Sequence, residues 1–249
     1  AQLSTVDRID YSNDTATASP KGPLSLARRY TSATGNADFG YFGGGGNPST
    51  HSTVDRIDYS NDTATASAKG PLNVAKFGYG ATGNASFGYF GGGDPGTVTT
   101  IDRIDYSNDT ATASAKGPLS SNNIYKVASS SRANAIPLKG PGILEVQVSL
   151  TAFSRNYGPQ GTDFGYFGGG GNPNTFSTVD RIDYSNDTAT AAAKGPLSDA
   201  KSYVEATGNA SFGYFGGGVL GPGPDVTTVD RIDYSNDTAT ASPKGPLSL

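Results

Sequence analysis

VDRIDYSNDTATA occupies Val6–Ala18, and the same letters return from Val54, Val179 and Val229. A further copy, Ile101–Ala113, differs only in its first residue, isoleucine for valine. The copies start 48, 47, 78 and 50 residues apart, so the period is close to 48 and the third interval carries about 30 extra residues. Self-similarity at such a period marks a repeat array, in which each unit buries against its neighbours a face it cannot bury alone.

Outward from that stretch, each period predicts four short strands, labelled A to D. In the first they are ARRYTSAT (Ala27–Thr34), FGYF (Phe39–Phe42), TVDRIDY and the TATA that closes each copy. Strand side chains alternate, so in C of the first copy Val6, Arg8 and Asp10 face one way while Asp7, Ile9 and Tyr11 face the other. Ser12-Asn13-Asp14-Thr15 predicts a tight C–D turn, and the Gly-Pro of KGPLS (Lys21–Ser25) reads as a linker. The loops after B vary: Asn47–His51, Asp94–Gly96, Asn172–Phe176 and Val219–Asp225. Variable connections between constant strands are surface features on a rigid scaffold. No segment sustains a 3.6-residue period, so the chain reads as all-β, a single domain over residues 1–249. Four short strands per period of about 48 is the unit of a β-propeller.

Strands C and D occur five times but FGYFGGG only four, at Phe39, Phe87, Phe164 and Phe212. About five repeats are expected, four complete and one partial. Three completions follow: a five-bladed ring that borrows strands or tolerates a partial blade, a neighbouring subunit that fills the gap, or a polypeptide that continues. The insertion, about 121–161, reads as a loop or hairpin packed on the ring. Ile124–Ser131 and Ile143–Ser154 would pair across the Pro-Gly-rich Pro137–Gly142. It alone breaks the pseudo-symmetry. Its apolar residues, Ile143, Leu144, Val146, Val148 and Leu150, are therefore the candidate assembly surface.

The repeats resemble kelch units. Arg28, Lys76 and Lys201 supply the basic residue before strand A. Gly43-Gly44, Gly91-Gly92, Gly168-Gly169 and Gly216-Gly217 are the doublets that end B. Tyr11, Tyr59, Tyr106, Tyr184 and Tyr234 are the aromatics of C. The tryptophan that kelch units carry in D is replaced here by alanine or threonine. The near-identical GYFGGG … STVDRIDYSNDTATA … KGPLS … ATGN array is also similar to large virion structural proteins of marine phages and environmental viruses. That resemblance implies a kelch-like β-propeller in a virion.

Composition narrows the classes. A net charge of −4 and a pI near 4.9 disfavour nucleic acid as a partner. Cys is absent, so disulfides and thiolate chemistry are excluded. No apolar run approaches the roughly 18 residues of a membrane helix, so membrane insertion is not expected. Met is also absent, initiator included, which fits a processed terminus or a fragment.

Catalytic signals are sparse. His51 is the sole histidine, stands in a variable loop, and has no GxSxG elbow to serve. Zinc lacks ligands, and no cofactor is expected. Five equivalent copies of Asp7, Asp10 and Asp14 suit a repeated salt bridge or turn hydrogen bond better than an acid–base pair. Calcium at the turn is the lesser reading, because the longer ligand pattern of an EF-hand is missing. Gly43–Gly46 lacks the Lys-Ser/Thr and helix of a phosphate loop.

These readings favour a non-enzymatic virion structural or appendage protein whose loops serve assembly or host-surface binding. Its expected partners are copies of itself, other virion or fibre proteins, and host-surface glycans. The alternative is an extracellular, filament-forming glycoprotein. Under it Asn13, Asn61, Asn108, Asn186 and Asn236 (in NDT) and Asn84 and Asn209 (in NAS) are glycan acceptors. A sugar-mutarotase-like propeller enzyme ranks third.

Overall fold

Around each repeated stretch the alternating pattern does produce strands, and their ladder hydrogen bonds gather them into small sheets. The computed structural model describes residues 2–248 apart from 11, 14, 96–98, 121–127, 132–163, 172–173 and 222. Blade one comprises Ser32–Gly35 (A), Phe39–Gly43 (B), Val54–Asp58 (C) and Ser67–Lys69 (D). Blade two comprises Gly80–Gly83, Phe87–Gly91, Ile101–Asp105 and Ser114–Lys116. Blade three comprises Ala128–Ser131, Phe164–Gly168, Val179–Asp183 and Ala192–Lys194. Blade four comprises Glu205–Gly208, Phe212–Gly216, Val229–Asp233 and Ser242–Lys244. Each is an antiparallel meander in the order A-B-C-D. The first copy forms only a C–D pair, Val6–Arg8 with Ser19–Lys21. The A strands of successive blades lie side by side, so the sheets are arranged as in a propeller with A innermost. The all-β, propeller reading and the repeat census therefore stand.

Register is the same throughout. The tyrosine of B faces the arginine of C (Tyr41↔Arg56, Tyr89↔Arg103, Tyr166↔Arg181, Tyr214↔Arg231), and the first residue of C faces the lysine of D. Strand D corrects the sequence reading. It is not TATA but the Ser/Ala-Ala/Pro-Lys that follows, and the lysine of KGPL ends it. The reason lies in the turn. After C the chain makes a 3-10 turn (Tyr59–Asn61 in blade one), and a second turn follows in which the Ala64 N–H donates to the Asn61 carbonyl at 3.2 Å. TATA is consumed in that connection, and its last alanine is buried.

The insertion is also relocated. Ala128–Ser131, read as part of a decorative hairpin, pairs with Phe164–Gly168 as strand A of blade three. The extra chain therefore enters between strands A and B, where the other blades have a three-residue turn. The candidate assembly residues Ile143, Leu144, Val146, Val148 and Leu150 lie outside the described residues.

The core lies between blades. At the first full junction, Tyr41 and Val54 of blade one and Leu72 of the connection meet Tyr79, Phe90, Ile104 and Ala113 of blade two. The same residue types build the next two junctions, and a smaller set joins Val6 and Leu24 to Phe42, Ile57 and Ala66. Valine and arginine of C face the following repeat while aspartate and isoleucine face the preceding one, as alternation predicts. Burying each such apolar side chain contributes about 1.5–3 kcal/mol.

Candidate functional site

Two places in this frame concentrate polar side chains: the junctions between repeats, and a cavity where the A strands begin.

The second aspartate of the turn, Asp62 in blade one, is the acceptor around which each junction is built. It takes the C-strand arginine of the preceding repeat: Arg8–Asp62 at 2.6 Å, then Arg56–Asp109, Arg103–Asp187 and Arg181–Asp237 at 2.7 Å. The preceding KGPL lysine joins the other oxygen, with Lys21, Lys69, Lys116 and Lys194 at 3.2–3.5 Å. The B-strand tyrosine completes the set, Tyr41, Tyr89 and Tyr166 each donating at 3.0 Å. That tyrosine also stacks, with centroids 4.7–4.8 Å apart, on the next blade's Tyr106, Tyr184 or Tyr234, which the sequence reading put in C and which opens the 3-10 turn after it. KGPL is thus a clamp as well as a linker. Gly22, Gly70, Gly117 and Gly195 donate their N–H to the backbone carbonyl of the same aspartate at 2.7–2.9 Å. A Cβ there would stand 1.8–1.9 Å from the carbonyl oxygen of Ala64, Ala111, Ala189 or Ala239. The sequence reading missed this partnership, because the two halves lie about a period apart.

The other repeated carboxylates are also occupied. Asp10, expected to share a salt bridge or turn bond with Arg8, makes only the turn bond: it accepts from the N–H and hydroxyl of Ser12. Arg8 reaches the next repeat instead. The equivalent bonds from Ser60, Ser107 and Ser235 hold the Asp58, Asp105 and Asp233 carboxyls below their usual range. The first aspartate of C is buried in all four blades, and in blades one, two and four it meets the basic residue before strand A. Arg28–Asp55 is 2.7 Å, Lys76–Asp102 3.1 Å and Lys201–Asp230 3.0 Å. Burial pulls Lys76 down and pushes Asp102 up, and their pairing opposes both shifts. Asp109 and its counterparts hold cations of the protein itself, which leaves the turn little use for calcium. Among the described residues no group of three His, Cys, Asp or Glu could hold a metal.

Burial, then the Asp109 carboxylate, pushes the Tyr41 hydroxyl up to about 12, and Tyr89 and Tyr166 rise for the same reasons. A pKa raised in the fold favours the protonated form, so this stability is intact below pH 10 and is lost as pH climbs towards 12. Alkaline titration should show the exposed tyrosines ionising first and the remaining tyrosinate absorbance appearing together with loss of β circular dichroism. Smooth ionisation of the buried tyrosines in a fully folded chain contradicts it.

At the start of strand A a cavity of about 420 Å³ is lined by Arg28–Ser32, Gly78, Tyr79, Tyr203 and Glu205, from blades one, two and four. Tyr30 and Tyr203 hold the equivalent position in their repeats and are 51% and 52% exposed. Their φ values are 59° and 55°, a left-handed conformation that costs a non-glycine residue about 1–3 kcal/mol. In blade two glycine stands there, Gly78 with φ 63°. Tyr30 carries the Arg29 guanidinium 5.2 Å over its ring. The walls push the Glu205 carboxyl above its usual range by desolvation. Backbone bridges tie this rim to the loops after B: Arg29 to Gly46, Phe77 to Asp94 and Ser202 to Val219. Strained aromatics at a cavity were not singled out from the sequence, where a tyrosine beside strand residues reads as one more strand position.

The turn asparagines Asn13, Asn61, Asn108, Asn186 and Asn236 are exposed, as is Asn209, while Asn84 is half-buried. Asn84 and Asn209 each accept two backbone N–H bonds in the A–B turn. His51 lies between blades one and two, its N–H on the Gly45 carbonyl and its carbonyl accepting from Lys76. No protein-family model and no curated protein matches the chain.

Proposed function

We propose that this chain is a non-enzymatic virion structural or appendage protein, a kelch-like propeller that presents its rim and loops for assembly or host-surface binding. One observation carries the reading. The arginine, lysine, aspartate and tyrosine that meet at the described junctions recur from copy to copy and fasten one repeat to the next, and variation gathers at the rim. The buried pairing of the basic residue before A with the aspartate of C supports the kelch likeness. The rim suits sugars: Tyr30 and Tyr203 offer ring faces to a pyranose, and Arg29 and Glu205 offer a donor and an acceptor to its hydroxyls. Several weak contacts around one rim would combine through effective concentration.

Two measurements test this. Gold-labelled antibody against the chain should decorate capsid, tail or fibre in images of native particles. On a glycan array, Tyr30→Gly/Tyr203→Gly should lose at least about tenfold in binding while melting no lower, because glycine relieves the left-handed backbone. Label confined to free protein, or an array bound equally by the variant, overturns the respective part. The exposed NDT turns support the extracellular-glycoprotein alternative, which an intact mass exceeding the sequence mass by hexose units would favour.

A further inference from the structure

The rim cavity holds two charges that the scaffold does not use. Arg29 enters from blade one and Glu205 from blade four, and both line the same space of about 420 Å³. The nearby basic residues that build the blades, Arg28 and Lys201, are paired with Asp55 and Asp230. Among the described residues Arg29 and Glu205 form no ion pair, with each other or with anything else. Nor does the repeat require them. Arg29 stands where blades two and four have Phe77 and Ser202. Glu205 opens strand A where Ser32, Gly80 and Ala128 open it in the other blades, each opposite the glycine that ends strand B. Two opposite, unpaired charges at positions that are neutral in the compared repeats therefore face one cavity.

The two walls differ in what they attract. On blade four, Tyr203 offers a ring face and Glu205 a carboxylate, and both favour a cation. The walls strip part of the water from that carboxyl with no cation to compensate, which is why its pKa lies above the ordinary range. On blade one, Arg29 lies over the Tyr30 ring at 5.2 Å, a contact that engages none of its N–H donors. A guanidinium with open donors suits a phosphate or carboxylate, which it grips through two parallel bonds. A quaternary nitrogen suits the tyrosine face better than a primary amine, whose N–H groups the ring would leave unbonded.

We propose that the cavity takes a zwitterionic group of the phosphocholine type, with its ammonium against Tyr203 and Glu205 and its phosphate on Arg29. Each wall then meets its opposite charge, and the ligand supplies the ion pairs that the fold leaves unmade. The inference rests on the rim reading proposed above and narrows its ligand from glycans in general to surfaces that display this group.

Titration of the full chain with phosphocholine, followed by protein NMR so that weak binding registers, tests it. Choline and inorganic phosphate serve as the two halves. Phosphocholine should bind at least about tenfold tighter than either half. Glu205→Gln should weaken phosphocholine and choline by about tenfold and leave phosphate no weaker, while Arg29→Gln should weaken phosphocholine and phosphate and spare choline. Both variants should melt like the unaltered chain, because both residues are exposed and neither belongs to a junction. Phosphocholine that binds no tighter than choline, or that neither variant weakens, overturns the proposal. Methyl glucoside bound at the rim where phosphocholine is not would overturn it too, yet leave the sugar reading intact. Phosphocholine bound by a chain that captures no particle and no neutral glycan would do the reverse. Phosphocholine-bearing glycans and phosphatidylcholine vesicles separate a saccharide source from a lipid one. Retention by either, weakened by Arg29→Gln, upholds the assignment, and retention by neither overturns it.

Discussion

Gly117→Ala is expected to melt far below the unaltered chain. The new methyl carbon would stand 1.8 Å from the Ala189 oxygen and 2.4 Å from its carbonyl carbon. Both are backbone atoms, so no rotamer relieves the contact. Gly117 is outside the left-handed region, so the cost is one of space and not of backbone conformation. Relief requires blades two and three to part, which breaks the Gly117 N–H bond to the Asp187 carbonyl (2.7 Å) and that of Ala191 to the Pro118 carbonyl (2.8 Å). A loss of about 3–5 kcal/mol follows, at the upper end for overpacking. At about 2–4 °C per kcal/mol for a chain of this size, the midpoint falls by about 10 °C. Gly245→Ala, the same change in the same motif but with nothing within 4 Å among the described residues, should stay within about 0.5 kcal/mol. Thermal melts of the two variants check this, and equal midpoints would remove the clamp from the account.

Asp187→Ala is the second large effect. One carboxylate, 9% exposed, serves Arg103, Lys116 and the Tyr89 hydroxyl, so its loss strands two cations and a donor together. Removing one partner of a buried ion pair costs about 3–5 kcal/mol. Arg103 remains a quarter exposed and recovers some hydration, which places the expected loss near 3 kcal/mol. Arg103→Ala should cost less, because Lys116 and Tyr89 still satisfy the aspartate. In a double-mutant cycle the pair should show coupling of about 1–2 kcal/mol, and strict additivity would mean that the two do not share a site.

Much of the scaffold is legible in the letters. Period-two alternation in VDRID assigns valine and arginine to one neighbour and isoleucine to the other, and repetition turns one such strand into an array. Strand D was misread because Thr-Ala-Thr-Ala has strand-like composition while the two turns before it use up its length. The insertion was misplaced because Ala128–Ser131, inside its expected bounds, resemble no other A strand.

Local chemistry, being a matter of neighbours along the chain, made strands B and C, the repeat count and the all-β class readable from order alone. Which residues meet across a period was not, because the partner of Arg56 lies 53 residues away and the nearer Asp58 is an equally good charge. Only the packed blades choose between them. Strand geometry turns Arg56 towards the next repeat, while the Ser60 N–H and hydroxyl occupy Asp58. The rim arises in the same way: the Tyr30–Tyr203 cavity exists only because blades far apart in sequence bring their first strands together.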